Sequence, residues 1–195
     1  MHIDENLNWN EHIQKLRNKV TNSIRNLNRI NHLIPLKHRM LLYNSLVASH
    51  YNYVDTVWSG LSKQNEKRLQ LTQNFAARSM LGLKKHTSAT DALQTLKLLP
   101  LKEKRHVHEA VYIHKAFHNK LPLHISEHYT DFKSKQQLRS ASNLTLNIPK
   151  HKTQQYQNSP LYRTITSWNN TPTNLRFTET TNTFKKKLQT HLLKP

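Results

Sequence analysis

Apolar residues recur at three- and four-residue spacing from the start of the chain. Trp9, Ile13, Leu16, Val20, Ile24 and Leu27 fall on one helical stripe, and Lys15, Asn18, Asn22, Arg25 and Arg29 fall on the opposite side. This spacing predicts an amphipathic helix, with Asn8 placed to cap a start at Trp9. Pro35 ends the connection and is placed to open a second helix over 36–54. There Leu36, Met40, Tyr43, Leu46, Val47, Tyr51 and Val54 make a wide apolar face, which Leu42 and Tyr53 extend. A helix apolar on most sides belongs in the middle of a bundle, so 36–54 is expected to be the most buried helix, with Leu46 deep in the core.

Punctuation residues divide the remainder. Ser62 is a cap for a third helix carrying Leu69, Phe75, Ala76 and Met80, and Gly82 is its stop. Lys84, Lys85 and His86 follow in a loop, then a short helix over 88–98 leads to Pro100. A helix over 102–119 packs through Val107, Ala110, Val111 and Phe117 and stops before Pro122, and a brief helical turn follows over 123–129. Composition shifts after Asp131: 138–152 reads as irregular, and 144–148 alternates like a short strand. Trp168 sits on a short amphipathic segment closed by Pro172, and a last helix over 181–193 is anchored by Phe184, Leu188 and Leu192. Gly60 and Gly82 are the only glycines, which disfavours tight hairpins. The fold class is therefore mainly α. A basic helical bundle is expected over 1–130, and over 131–195 a less regular extension ending in an amphipathic helix.

Charge narrows the function. Thirty Lys and Arg against eleven Asp and Glu give a formal charge of +19, which points to a polyanion as partner. No acid occurs between Glu11 and Asp55, or between Asp131 and Glu179. The candidate phosphate contacts are Lys15, Arg25, Arg29, Lys37 and Arg39 of the first two helices. To these are added Lys102, Lys104 and Arg105 of the later helix and Lys185, Lys186 and Lys187 of the last. The last triplet also matches a weak nuclear-import pattern, consistent with an intracellular chain that enters the nucleus. A bias of the coding sequence toward Asn, Lys, His, Gln and Thr is the plain alternative source of the charge. No run approaches a membrane span, and residues 1–10 lack a signal-peptide pattern.

Catalytic chemistry finds little purchase. Two-metal catalysis needs carboxylates close enough to share ions, whereas Asp55, Asp91 and Asp131 are isolated and Asp4 has only Glu5 beside it. There is no cysteine, Gly-rich phosphate loop or G-x-S-x-G elbow. His114 with His118 and His124 with His128 are spaced to share a helical face, but the zinc-protease pattern needs Glu directly after the first His, where Lys115 and Ile125 stand. No catalytic residue, metal ligand, cofactor or small-molecule substrate is assigned. Trp9, Trp58 and Trp168 lie on apolar faces or helix ends and are expected to pack in the core.

Three strings carry a resemblance. Residues 41–58 read LLYNSLVASHYNYVDTVW, residues 159–172 read SPLYRTITSWNNTP, and residues 183–193 read TFKKKLQTHLL. In this order they resemble the region after the palm in reverse transcriptases of non-LTR (LINE-type) retrotransposons, where "LLYNSLIxPHFDYCSxVWG", "SFSYxGxxLWNSLP" and "TFKxxLKxxLL" are usual. Residues 1–13, MHIDENLNWNEHI, resemble the segment following that family's last palm strand. Ala48 and Ser49 stand where a proline is common, Asn52 replaces an acidic residue, and Thr173 follows Pro172 in place of an acidic continuation. The resemblance implies a helical thumb that grips the backbone of RNA or an RNA–DNA hybrid, beside the palm of the parent RNA-directed DNA polymerase. It also implies that the catalytic aspartates lie outside this chain, which alone is not expected to be an enzyme. An autonomous basic RNA- or DNA-binding module, or a non-functional structural fragment of a decayed element, are the alternatives.

Overall fold

The computed structural model describes residue 3, residues 8–130 and residues 143–193. The chain divides into two compact units, residues 1–102 and 103–195. The division lies earlier than the composition shift after Asp131, because residues 103–130 form one unit with the C-terminal helices, as the Glu109–Arg163 and His114–Thr178 contacts show. Helices dominate both units, and no β-sheet forms among the described residues.

The first unit is built on α1 (Asn10–Ile30), whose buried residues Ile13, Leu16, Val20, Ile24 and Leu27 are the stripe read from the sequence. The helix begins one residue later than the start at Trp9 that the sequence suggests. Trp9 occupies the cap position at φ 59° with no side-chain cap bond, and its indole is buried in the core. The partner of α1 is α5 (Lys63–Leu81), which contributes Leu69, Ala76, Ala77 and Met80 to the same core. Ser62 accepts a hydrogen bond from the Asn65 amide, and Gly82 closes the helix at φ 67°. Both are standard solutions to the unpaired groups at helix ends. Amides lock the two helices: Asn65 Nδ2 donates to Asn10 Oδ1 at 2.8 Å, and Asn31 Nδ2 donates to the Ser79 carbonyl at 3.0 Å.

The segment 36–54 departs from expectation. It is neither one helix nor the most buried element. α2 (Leu36–Tyr43) passes into a π-turn (Asn44–Ala48), then α3 (Ser49–Asn52), and after a break α4 (Asp55–Trp58). Widening the turn shifts the register. Tyr43, Val47 and Tyr51, four residues apart, reach the core with Ala48, while Leu36 and Leu41 are turned to solvent and Leu46 is 48% exposed. Tyr51 Oη pairs with Thr72 Oγ1 at 2.6 Å, fixing this layer to α5. The unit is completed by α6 (Ala89–Thr95), capped by Ser88.

α7 (Leu101–Phe117) runs into the second unit, which also holds α8 (Leu123–Thr130), α9 (Gln154–Gln157), α10 (Pro160–Asn169), α11 (Thr173–Arg176) and α12 (Thr181–Leu192). Its core includes Val107, Ile113, Ile165, Trp168, Phe184 and Leu188. Trp9, Trp58 and Trp168 are all buried, as the apolar pattern predicts. Glu109 is buried but compensated: Arg163 Nη2 lies 3.0 Å from its Oε1, and Ser167 Oγ donates to its Oε2. A lone buried carboxylate would be strongly destabilising.

The alternation at 144–148 forms no sheet among the described residues: Leu144 turns at φ 53°, and the backbone of Leu146 pairs with Asn169. Its Oδ1 accepts from Leu146 N at 3.0 Å, and its Nδ2 donates to Leu146 O at 2.8 Å. Arg176 holds the same region through carbonyls of Thr171, Asn143 and Asn169.

His114 shows how this core uses histidine. The ring is 1% exposed and stacks between Phe184 and His118 at centroid distances of 4.5 and 4.3 Å. Its Nε2 lies 2.8 Å from the Thr178 carbonyl, and its Nδ1 lies 3.3 Å from Thr181 Oγ1. Burial lowers its pKa, against a raising effect of the Thr178 carbonyl, and His118 and Lys120 push it further down. Burial likewise lowers that of His106, which Glu103 and Glu109 oppose.

Two expectations follow for stability. Leu46→Ala is expected to cost less than about 1 kcal/mol, because little apolar surface is lost from the core, whereas Leu69→Ala, at a fully buried site, costs about 2–5 kcal/mol. Urea unfolding of both variants checks this, and equal losses would contradict the packing described. Stability also depends on pH with a definite sign. A histidine whose folded pKa is depressed contributes fully above the unfolded value of about 6.5 and loses that contribution as pH falls through the folded value. Thermal midpoints are therefore expected to fall between pH 7.5 and 5, and His114→Gln to shrink that fall; an unchanged pH dependence in the variant would overturn the assignment.

Candidate nucleic-acid interface

The amphipathic pattern of α1 fixes where its cations go. Because Ile13 to Leu27 must face α5, the residues on the far side are held in solvent, and Lys15, Arg25 and Arg29 are all exposed. Lys15 pairs with Glu11 at 2.5 Å, with side chains 51% and 63% exposed. Such an exposed helical pair is worth only a few tenths of a kcal/mol, so a competing phosphate displaces Glu11 at little cost. Lys37, in the first turn of α2, is exposed as well. At about 1.5 Å per residue, Lys15 and Arg25 stand roughly 15 Å apart along a rigid axis. With no acid between Glu11 and Asp55, their potentials add.

The other candidates divide. Arg39 is half-buried and turned inward: Nε donates to the Ile34 carbonyl at 2.8 Å and Nη1 to the Met80 carbonyl at 2.7 Å. Its work is to close the end of α5, where the last carbonyls lack helical partners. Arg105 is 4% exposed and so is not a surface contact. It sits on the core side of α7, near Val107 and Glu109 in sequence, a position the charge count alone does not distinguish. Lys102 is exposed and Lys104 half-buried. In α12, Lys186 and Lys187 are exposed and Lys185 half-buried, opposite the buried Phe184 and Leu188. Lys133, Lys135, Arg139 and the Asp4–Glu5 pair lie outside the described residues.

A concavity of about 450 Å³ lies on the flank of α1. From α1 it receives His12, Lys15, Leu16 and Lys19; from the facing segment it receives Ser49, His50 and Tyr53. Three local features aim that segment. The π-turn rotates Ser49 and His50 out of the register of α2. Val54 sits at φ 51°, a left-handed conformation that a β-branched residue adopts only under strain. Trp58 Nε1 donates to the Tyr53 carbonyl at 2.9 Å and pins the break. Tyr53 is left 62% exposed. Burial lowers the pKa of His50, and Lys19 lowers it further. The signal that finds this place in the sequence is the i, i+4 pair Lys15 and Lys19, one turn apart on the flank of the stripe.

Among the described residues no group of three or more His, Asp or Glu side chains is placed to hold a metal ion, and no helix is long and apolar enough to cross a membrane. No protein-family model matches the chain, and no match was found among curated proteins or solved structures.

Proposed function

We propose that this chain binds polynucleotides through their phosphate backbone, as a thumb-like region of a non-LTR retrotransposon reverse transcriptase. The ligand in this reading is RNA or an RNA–DNA hybrid, and the protein partner is the palm of the parent polymerase. The observation that carries it is the outward face of α1: Lys15, Arg25 and Arg29 exposed along one rigid helix, in a stretch without acids, with the opposite face committed to the core. A backbone-directed grip requires spaced cations on a stiff element and few groups shaped for base edges. Lys37, Lys102, Lys186 and Lys187 remain candidate contacts, while Arg39 and Arg105 are structural. The resemblance of 41–58, 159–172 and 183–193 to the post-palm strings supplies the family.

Binding is expected to be largely insensitive to sequence and steeply dependent on salt. Engagement of about six phosphates gives a slope near −5 in log K against log salt on a B-form duplex. Replacing Lys15, Arg25 and Arg29 together by Gln is expected to flatten that slope by about two to three units, with the circular dichroism spectrum unchanged. An unchanged slope would place the contact face elsewhere, and no binding at low salt would favour a purely structural role. The purified chain is also expected to extend no primed template, since this reading puts the catalytic carboxylates on the palm; extension above a mock preparation would overturn it.

A further inference from the structure

We infer that the concavity beside α1 is a site for one unpaired nucleotide of a single strand, its phosphate on Lys15 and Lys19 and its base stacked on Tyr53. The inference rests on the polynucleotide-binding reading and goes further by naming a strand type and a place. The volume, about 450 Å³, lies within the range of about 300–1,000 Å³ usual for small-molecule sites. One wall is cationic. Lys15 and Lys19 stand one helical turn apart, and the acid one turn before them, Glu11, meets Lys15 in an exposed pair. The opposite wall offers a hydroxyl from Ser49, the ring of His50 and the exposed ring of Tyr53.

The exposure of Tyr53 is the telling feature. Leu41 and Leu46 of the same segment are also in solvent, but Tyr53 alone among these exposed large side chains lines the concavity, opposite Lys15 and Lys19 and next to the left-handed Val54. An aromatic face beside a basic groove is the arrangement by which single strands are held without base-edge readout, because every base has a face to stack. A duplex keeps its base faces stacked on one another and cannot use Tyr53 in this way. The site therefore favours single strands, whereas Arg25 and Arg29, outside the concavity, serve either form.

Fluorescence anisotropy with a labelled oligo-dT of about 20 nucleotides, and with a duplex of the same length, tests this in the full chain. Tyr53→Ala is expected to weaken single-strand binding roughly five- to hundredfold and to leave duplex binding within about twofold, while Tyr53→Phe retains wild-type behaviour. Lys19→Gln is expected to reduce the single-strand salt slope by about 0.7, the contribution of one phosphate. If wild type binds both probes and neither Tyr53→Ala nor Lys19→Gln changes single-strand binding, the site is refuted and the backbone-binding reading stands. If wild type binds neither probe at low salt, both fall. Displacement of the strand by inorganic phosphate at millimolar concentration and constant ionic strength would assign the site to a free anion and overturn the nucleotide assignment.

Discussion

The burial of one stripe of α1 is the constraint on which the first unit depends. Ile13, Leu16, Val20, Ile24 and Leu27 leave water together, each worth about 1.5–3 kcal/mol, and in doing so fix the rotation of the helix about its axis. Once that rotation is set, Lys15, Arg25 and Arg29 have no choice of direction. The same event that makes the core makes the charged face, which is why a protein carrying +19 tolerates its charge: on α1 the cations are spread along the solvated side of a rod rather than gathered in the interior.

Some of the arginines, unlike Arg25 and Arg29, are used inside the fold. Arg39, Arg163 and Arg176 turn inward to carbonyls or to Glu109, where a planar fork of donors satisfies several acceptors at once. Lys15, Lys37, Lys102, Lys186 and Lys187 stay in solvent. Part of the net charge therefore holds the fold together, and a count of basic residues overstates the surface available to a polyanion.

Periodicity made the helices legible, and single punctuation residues marked the ends of one of them: Ser62 and Gly82 bound α5. The Ser88 and Ser159 caps of α6 and α10 emerge only in the structure. What the sequence concealed were departures from ideal helical register. The π-turn at Asn44–Ala48 and the left-handed Val54 divide a stretch that reads as one apolar helix, so Leu46 and Tyr53 were assigned to a core they do not enter. Side chains replacing backbone partners were equally hidden. The alternation at 144–148 predicts a strand, yet the Leu146 backbone pairs with the side-chain amide of Asn169 and the Leu144 carbonyl accepts from the Trp168 indole. Arg39 and Arg105 counted as surface cations because charge says nothing about direction, and Lys19, His50 and Tyr53 were not linked because they meet only after the chain turns.

The claim at the centre of this account is that the solvated side of α1 is the face that meets a polynucleotide. Lysine-reactivity mapping by mass spectrometry, with and without saturating oligonucleotide, reads this residue by residue in the unaltered chain. The account predicts that Lys15 and Lys19 lose reactivity on binding while Lys63 and Lys67 of α5 keep theirs. Protection of Lys63 and Lys67 with Lys15 and Lys19 unchanged would contradict it.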